Sequence, residues 1–252
     1  MKLLRDMASA VGEIANLNDI HSFAATAVRG LRGLIVHPYC VENPPRPKLP
    51  LEIYEFESCP FCRKVRDVCT ELDLAFISRT SAKGSVTKRA ELLKTGGKAL
   101  YPYLVDPNTG TALYESEDII TYLASTYGPG RGAASKFFSP VNTTFSAAAS
   151  IVRPRGGRVL EGLEEREQPP ALLELYNMEA SPYCRKVRER LNELNLDYLT
   201  LNVGKNSARR EELKERGGKV MVPFLVDPNE DHALYESDQI LAYLDHTYGP
   251  TA

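Results

Sequence analysis

The sequence predicts an α/β fold made of two tandem copies of one unit, in which a βαβ segment is followed by a helix, a β-hairpin and a last helix. Short apolar runs alternate with segments whose apolar residues recur at helical spacing, which indicates strands alternating with helices. The same order of motifs then occurs twice. The offset between copies is 122 residues before a middle loop, from Cys62 to Cys184, and 121 after it, from Pro102 to Pro223.

The first copy contains four predicted strands and three predicted helices. The strands are residues 51–56, 74–77, 103–105 and 112–114. One helix follows a Cys-x-x-Cys motif, a second spans residues 88–94 and ends at a Gly-Gly pair, and the third is predicted to have Ser116 as its N-cap. With Pro102 before the third strand, this order is the one that a thioredoxin-like domain requires.

The second copy is a duplication of the first. Between residues 112–129 and 233–250, twelve positions are identical. The Ala-rich residues 23–29 also correspond to residues 145–153. We therefore predict four segments: a helical leader (1–48), a first thioredoxin-like domain (49–130), a helical leader or flexible linker (131–170) and a second thioredoxin-like domain (171–252).

Composition excludes several classes of function. The formal net charge of −2 over 252 residues gives no basic field for nucleic acid or anionic membranes. No apolar run reaches the roughly 18 residues of a membrane helix. Five cysteines, an odd number, indicate a reducing compartment in which thiols stay free. The amphipathic residues 1–17 are predicted to form a folded helix and not a transit peptide.

The motif Cys59-Pro60-Phe61-Cys62, at a strand-to-helix junction, is the candidate reactive site. The first sulfur lies over unpaired helix amides, where the helix dipole favours a thiolate, so Cys59 is the predicted nucleophile. Pro60 fits the first helical turn, and Phe61 can cover the site. Cys62, one turn later, can resolve a mixed disulfide. A zinc half-site would need a second Cys/His pair, but the histidines are scattered singly: His21, His37, His232 and His246.

Other residues near this motif are harder to assign. Glu55 and Glu57 are expected to raise the pKa of Cys59 if they lie close to it, unless the charges of Arg63, Lys64 and Arg66 offset that rise. The second copy has Ser181 in place of the nucleophile, and Cys184 is predicted to be a core residue. Cys40, in an apparent loop, receives no role. A cluster of basic residues follows each motif. It is either a solvated helix face or a site that attracts a carboxylate of the ligand or of an acidic partner. Its members are Arg63, Lys64, Arg66, Arg185, Lys186 and Arg188.

These motifs resemble the glutaredoxin branch of the thioredoxin superfamily, and more closely the thioredoxin-like N-terminal domain of glutathione S-transferases, present in tandem. The tandem arrangement resembles a group of plastid proteins of plants and algae. The resemblance covers both copies. Besides the Cys-Pro-Phe-Cys motif, it rests on an X-Pro pair and a Glu-Ser pair in each copy: Tyr101-Pro102, Val222-Pro223, Glu115-Ser116 and Glu236-Ser237.

The resemblance implies glutathione as the ligand. In the family, the backbone before the proline pairs with the cysteinyl part of glutathione, and the Glu-Ser pair holds its γ-glutamyl group. A helix N-terminus suits a carboxylate, and a glutamate suits the ligand's ammonium. Phe61 and Ser181 are the other candidate contacts, since some transferases use a serine to activate the bound thiol. The resemblance also implies the chloroplast stroma as the location, or otherwise the cytosol.

The predicted function is a glutathione-linked thiol-disulfide oxidoreductase, with a redox-active first domain and a glutathione-binding second domain. Its partners would be glutathione and protein or low-molecular-weight disulfides, with self-association left open. One alternative is a glutathione transferase that works through Ser181, although the large helical domain of the transferases is not expected here. Another is a non-catalytic scaffold or an iron-sulfur carrier that uses Cys59 and glutathione.

Overall fold

The computed structural model describes residues 32–45, 47–130 and 156–250, which contain seven helices and eight strands. The elements up to the end of the first copy are α1 (Pro38–Glu42), β1 (Leu51–Glu55), α2 (Pro60–Glu71), β2 (Phe76–Thr80), α3 (Val86–Gly96), β3 (Tyr103–Asp106), β4 (Thr111–Leu113) and α4 (Ser116–Tyr127). Those of the second copy are β5 (Leu173–Asn177), α5 (Pro182–Glu193), β6 (Tyr198–Asn202), α6 (Arg209–Gly217), β7 (Phe224–Asp227), β8 (His232–Tyr235) and α7 (Ser237–Tyr248).

All eight strands form one continuous sheet in the order β4-β3-β1-β2-β6-β5-β7-β8. Within each copy the first two strands are parallel, and the third and fourth are antiparallel to their neighbours. The copies join where β2 pairs with β6 in antiparallel orientation, with Ile77 opposite Leu199. These two residues are equivalent in the repeat, so a pseudo-two-fold axis passes between them. Each copy thereby covers the edge strand that the other would expose.

The segment that precedes each copy crosses to the opposite copy. Ile35 forms a β-bridge with Lys205 of the second copy, and Lys83 of the first copy forms one with Arg158. Glycines allow both crossings, because Gly33 has φ +72° and Gly156 has φ +68°. A Cβ atom at Gly156 would lie 2.8 Å from the Cα atom of Glu189, which is too close for a side chain. The two copies are therefore tied together by a bridge at each crossing, in addition to the shared sheet.

Each copy has its own apolar core between sheet and helices. In the first, Ile53, Val65 and Leu104 are fully buried together with Cys69, and in the second the equivalent core contains Leu175, Val187 and Leu225. The prediction that Cys184 is a core cysteine is confirmed, because its side chain is completely buried. The loop interpretation of Cys40 is wrong. This residue lies in α1 and packs into the core of the first copy.

The structure bears out the predicted fold class, two tandem thioredoxin-like domains, with element bounds shifted by a few residues. The predicted leader helices at residues 1–17, 23–29 and 145–153 lie outside the described residues. Residues 32–45 contain only the five-residue α1, and residues 156–170 contain bridges and turns but no helix. No helix in the described part of the chain is both long and apolar enough to cross a bilayer. The exact domain boundaries stay predictions.

Candidate functional site

Cys59 is the N-cap residue of α2, a position that usually holds serine, threonine or aspartate. Its backbone is extended, with φ −71° and ψ 119°, and Pro60 begins the helix. The Sγ atom of Cys59 accepts a hydrogen bond from the backbone N–H of Cys62 at 3.3 Å. One of the unpaired amides at the start of the helix therefore points at the sulfur, which favours its negative form.

The two thiols of the motif differ in acidity. A hydrogen bond from the side chain of Cys62 lowers the pKa of Cys59, helped by the backbone N–H groups of Cys62 and Phe61 and by the charge of Arg66, against burial, which raises it. Burial raises the pKa of Cys62 well above its ordinary value, and Cys59 and Glu55 add to the rise. The pair therefore combines one thiolate-prone sulfur with one that stays protonated.

The expected rise in the pKa of Cys59 from its two neighbouring glutamates is wrong, since that pKa is lowered. Both carboxylates are engaged by arginines. Arg66 contacts Glu55 at 2.5 Å and Glu57 at 2.9 Å, and the Ser78 hydroxyl donates to Glu55 at 2.8 Å. Arg66 thus supplies the positive charge that offsets these two carboxylates.

The predicted proline sites have the same backbone form in both copies, because the Tyr101-Pro102 and Val222-Pro223 peptide bonds are both cis. The ring of Tyr101 packs edge-on against Phe56, with 5.6 Å between centroids. Phe61, within the motif, has 47% of its area exposed, whereas Cys59 is only 3% exposed. The Cys59 side chain is therefore almost completely buried, although its neighbour in the motif lies at the surface.

The Glu-Ser pairs begin the last helix of each copy, but with roles that differ from the prediction. The N-cap residues are Glu115 and Glu236, both at φ +66°, and Ser116 and Ser237 are the first helical residues. The expectation that Ser116 caps α4 is therefore wrong. A glutamate is rare at positive φ, and such residues cluster at ligand-binding sites. Both glutamates are exposed and both serines are buried, so the carboxylates stand open at a helix N-terminus.

Ser181 reproduces the geometry of Cys59 in the second copy. It is the N-cap of α5, with φ −72° and ψ 122°, and its Oγ atom accepts the backbone N–H of Cys184 at 3.2 Å. The Ser181 hydroxyl also hydrogen-bonds to the Cys184 side chain, which lowers the pKa of Cys184, but burial outweighs this effect and raises it. The Cys184 thiol therefore stays protonated.

Both interpretations of the basic clusters are wrong, because these residues are buried and not open to solvent or ligand. All six are at most 2% exposed: Arg63, Lys64, Arg66, Arg185, Lys186 and Arg188. Each lysine contacts an acid at the start of its copy's last helix, Lys64 with Glu117 and Lys186 with Asp238. These ion pairs fix the Cys59 helix, and its counterpart, against the helix that carries the Glu-Ser pair.

The arginines join the two copies across the interface. Arg66 of α2 contacts Glu179 of the second copy at 3.0 Å, and Arg188 of α5 contacts Glu57 of the first at 2.9 Å. Sequence reasoning missed Glu179. The internal repeat could have identified this residue, because Glu57 and Glu179 lie at equivalent positions, each two residues before the N-cap of the following helix.

The fold and this thiol motif define a thioredoxin-like protein of glutaredoxin and glutathione transferase type. The family model for the glutathione S-transferase N-terminal domain matches residues 53–131 and again residues 175–252. These matches include more than half of the chain. The chain therefore belongs to the glutathione S-transferase N-terminal domain family, with two domains in tandem.

Individual relatives are more distant. The chain is 34% identical to glutaredoxin 3 of Escherichia coli strain K12 over 53 residues, which is 21% of this chain and 64% of glutaredoxin 3. Glutaredoxin 3 of E. coli O157:H7 matches with the same figures. The chain thus spans less than two-thirds of these relatives. A solved structure of the Leishmania glutathione transferase TDR1, described as trimeric, aligns over 81% of this chain and 68% of its own with 15% identity and a TM-score of 0.30, a likeness too small to carry an argument.

Proposed function

We propose that the chain is a glutathione-linked thiol-disulfide oxidoreductase whose nucleophile is Cys59. The observation that carries the proposal is the hydrogen bond from the Cys62 N–H to the Cys59 Sγ atom at the start of α2. It supports a reactive thiolate, and the buried, protonated Cys62 one turn away suits a resolving thiol. Similarity to glutaredoxin 3 agrees with this chemistry.

The proposed reaction begins when the Cys59 thiolate attacks one sulfur of a glutathione mixed disulfide or a protein disulfide. A new S–S bond forms to Cys59, and the leaving thiolate takes a proton from water. The mixed disulfide is then resolved by Cys62, which loses its proton and closes the Cys59–Cys62 disulfide, or by free glutathione. Two glutathione molecules return an oxidised pair to the dithiol and leave as glutathione disulfide.

We further propose that each copy binds glutathione, the first with Phe61, Tyr101, Pro102, Glu115 and Ser116, and the second with Ser181, Val222, Pro223, Glu236 and Ser237. The exposed Glu115 and Glu236 carboxylates would meet the ligand's ammonium, and the helix amides beside them its carboxylate. The second copy lacks a nucleophile, so it would bind without exchanging disulfides.

The test is the glutathione-dependent reduction of a mixed disulfide between glutathione and cysteine. Wild type should turn it over, and Cys59→Ser should reduce the rate to that of the blank, whereas the buried Cys69→Ser should retain it. Cys62→Ser should keep most of this activity and lose the reduction of protein disulfides, which needs both thiols. Equal rates for wild type and Cys59→Ser would remove the proposal.

A second candidate, a glutathione transferase that uses Ser181, is favoured by the position of Ser181 at the N-cap of α5, where its hydroxyl takes the place that the Cys59 sulfur has in the first copy. This activity would conjugate glutathione to an electrophile such as chlorodinitrobenzene and would survive Cys59→Ser. Ser181→Ala would abolish it. Loss of mixed-disulfide reduction in Cys59→Ser without any conjugation would favour the oxidoreductase.

The proposed location is the chloroplast stroma, as the resemblance to plastid proteins implies. Five free cysteines agree with a reducing compartment of this kind. Immunodetection of the native protein in stromal and cytosolic fractions tests the location. Its detection in the cytosolic fraction alone would replace the stroma with the cytosol.

A further inference from the structure

The exposed face of α3 in the first copy is apolar along its centre. Val86 and Leu93 lie two turns apart on this face, and each has 50% of its area exposed. At 3.6 residues per turn, the exposed Ala90 falls beside them. Leu100, which is 51% exposed, follows α3 in the loop that leads to the cis peptide at Pro102. Large apolar side chains that share one exposed face mark a surface that another molecule covers.

Cations border this apolar stripe on both sides. Arg89 and Lys94 lie on the two edges of the exposed helix face, and Lys83 and Lys98 lie before and after the helix, all exposed. The only acid between residues 81 and 100 is Glu91, and it is occupied. The Tyr54 hydroxyl donates to it at 2.7 Å and the Lys88 ammonium at 3.1 Å. Along α3 the exposed charges are therefore positive. Acids approach only the start of the helix, since the Val86 N–H donates to the Glu164 carbonyl at 2.9 Å and the exposed Glu161 and Glu165 belong to that segment.

The second copy differs at this face. The buried Leu92 and Leu213 are equivalent residues of α3 and α6, and they fix the alignment of the two helices. On that alignment, the positions of Ala90, Leu93 and Lys94 are taken in the second copy by Glu211, Lys214 and Glu215, all exposed. The apolar stripe of α3, with cations on both edges, is therefore replaced on α6 by a surface of mixed charge. The special face thus belongs to the copy that carries Cys59.

This face continues into the thiol site. Leu100 precedes Tyr101, whose ring packs edge-on against Phe56 with 5.6 Å between the centroids. The Phe56 carbonyl in turn accepts the Cys59 backbone N–H at 3.1 Å. Leu100 therefore lies between the apolar stripe and the residues that contact Cys59. A polypeptide lying along α3 could extend directly to the reactive sulfur.

We propose that the α3 face, which comprises Val86, Arg89, Ala90, Leu93, Lys94, Lys98 and Leu100, docks a polypeptide segment in which apolar side chains are flanked by carboxylates. The inference rests on the proposed function, because the docked segment would present its disulfide or glutathionylated cysteine to Cys59. The apolar stripe buries the partner's apolar side chains. The cations steer its carboxylates and speed the encounter. A nucleic acid would use the charge but would leave Val86, Leu93 and Leu100 without a partner.

The test compares three fluorescein-labelled peptides, each glutathionylated on one cysteine and alike except that two leucines are flanked by glutamate, glutamine or lysine. Binding is followed by anisotropy on the full-length Cys59→Ser protein, so that no exchange occurs. The acidic peptide should bind about tenfold more tightly than the basic one. Transplanting the second copy's residues as Ala90→Glu, Leu93→Lys and Lys94→Glu should remove this preference. The matched control, Lys214→Glu on α6, should retain it.

Turnover separates this inference from the proposed function. In the protein with Cys59 intact, the α3 variant should lose about tenfold in kcat/KM on the acidic peptide. The small glutathione–cysteine disulfide serves as the reference. Equal affinity for the three peptides, or a preference unchanged in the α3 variant, would overturn the docking surface. So would displacement of the acidic peptide by a short DNA duplex at equal charge concentration. Preferential binding with no turnover of any disulfide would instead overturn the oxidoreductase and leave the docking surface standing.

Discussion

Glu57, two residues before Cys59, forms a buried ion pair with Arg188 of the second copy, with the Arg188 Nε atom 2.9 Å from the Glu57 Oε2 atom. Both side chains are at most 1% exposed. The pseudo-two-fold axis repeats the contact as Arg66 to Glu179 at 3.0 Å. Each copy thus contributes one glutamate and one arginine to the interface between the copies. Charges buried in this way specify one arrangement of two surfaces, because any other arrangement leaves them unpaired.

The Glu57→Gln change should destabilise the protein strongly. It removes the carboxylate that Arg188 and Arg66 both contact and leaves their charges less compensated in a buried site. Removal of one partner of a buried pair costs about 3 to 5 kcal/mol of unfolding free energy. Urea denaturation measures the loss. The control is Arg216→Gln, which breaks a surface pair with Glu174 and should cost less than about 1 kcal/mol. Similar losses in the two variants would contradict the buried network.

The contribution of Glu57 should depend on pH. Burial alone would raise the pKa of this carboxyl, but Arg188 and Arg66 outweigh burial and bring the pKa to about 2, below the ordinary 4.5. A depressed folded-state pKa means that the ionised form stabilises the fold above pH 4.5, and that this contribution is lost as pH falls toward 2. The difference in unfolding free energy between wild type and Glu57→Gln should therefore be constant above pH 5 and shrink below pH 4.5. A difference that does not vary with pH would exclude this linkage.

Iodoacetamide should label Cys59 first among the five cysteines. Its pKa is lowered by hydrogen bonds at the helix start, while burial raises the pKa of Cys40, Cys62, Cys69 and Cys184. Cys59 is also 3% exposed, and the others are at most 1% exposed. Peptide mapping after short labelling at neutral pH identifies the modified residue. Earlier labelling of Cys40 or Cys184 would contradict the assignment of the nucleophile.

The fold could be predicted because the same sequence pattern occurs twice in the chain. Leu51 and Leu173, for instance, begin equivalent buried strands. The way in which the two copies pack against each other could not be predicted from the sequence. Arg63 and Arg66 recur at helical spacing after Cys59, which in one isolated domain is the pattern of a solvated face. In the structure both are buried, and Arg66 contacts Glu179 of the second copy. A sequence pattern describes one segment and does not show which other segment packs against it. The helix start at Glu115 was missed for a related reason, since serine is the commoner N-cap residue and glutamate at positive φ is rare.

Glutathione should bind the second copy even though Ser181 replaces the nucleophile. Glu236, exposed at the N-terminus of α7, has the same backbone form as Glu115. Glu236→Ala should cost about 1.5 to 3 kcal/mol of binding free energy through the loss of a charge-assisted contact. Because the copies share one sheet and a buried charge network, calorimetry should use the full chain, with Glu115→Ala present to weaken the first site. Two sites in wild type, one in Glu115→Ala and none in the double variant are expected. A single site that Glu236→Ala leaves untouched would make the second copy a scaffold.

The Ser181→Cys change should create a second redox centre. The Ser181 Oγ atom already accepts the Cys184 N–H at 3.2 Å, as the Cys59 Sγ atom accepts the Cys62 N–H at 3.3 Å, so a sulfur at position 181 would meet the same helix amides. At the position of Glu55 the second copy has Asn177, whose side-chain oxygen accepts from Arg188 at 2.6 Å and brings no charge. The pKa of the new thiol should therefore fall at least as far as that of Cys59.

Cys184 should then become a resolving thiol in place of a core residue. The measurement is mixed-disulfide reduction by Ser181→Cys in a Cys59→Ser background, with thiols counted before and after oxidation. Activity above that of Cys59→Ser alone, and the loss of two thiols on oxidation, are expected, because residues 181 and 184 repeat the Cys59–Cys62 geometry. Adding Cys184→Ser should abolish the loss of thiols but not the reduction of the glutathione mixed disulfide. If the introduced thiol forms no disulfide and the rate stays at the blank, Ser181 is not a silenced nucleophile, and its role lies in the hydrogen bond that its hydroxyl can donate.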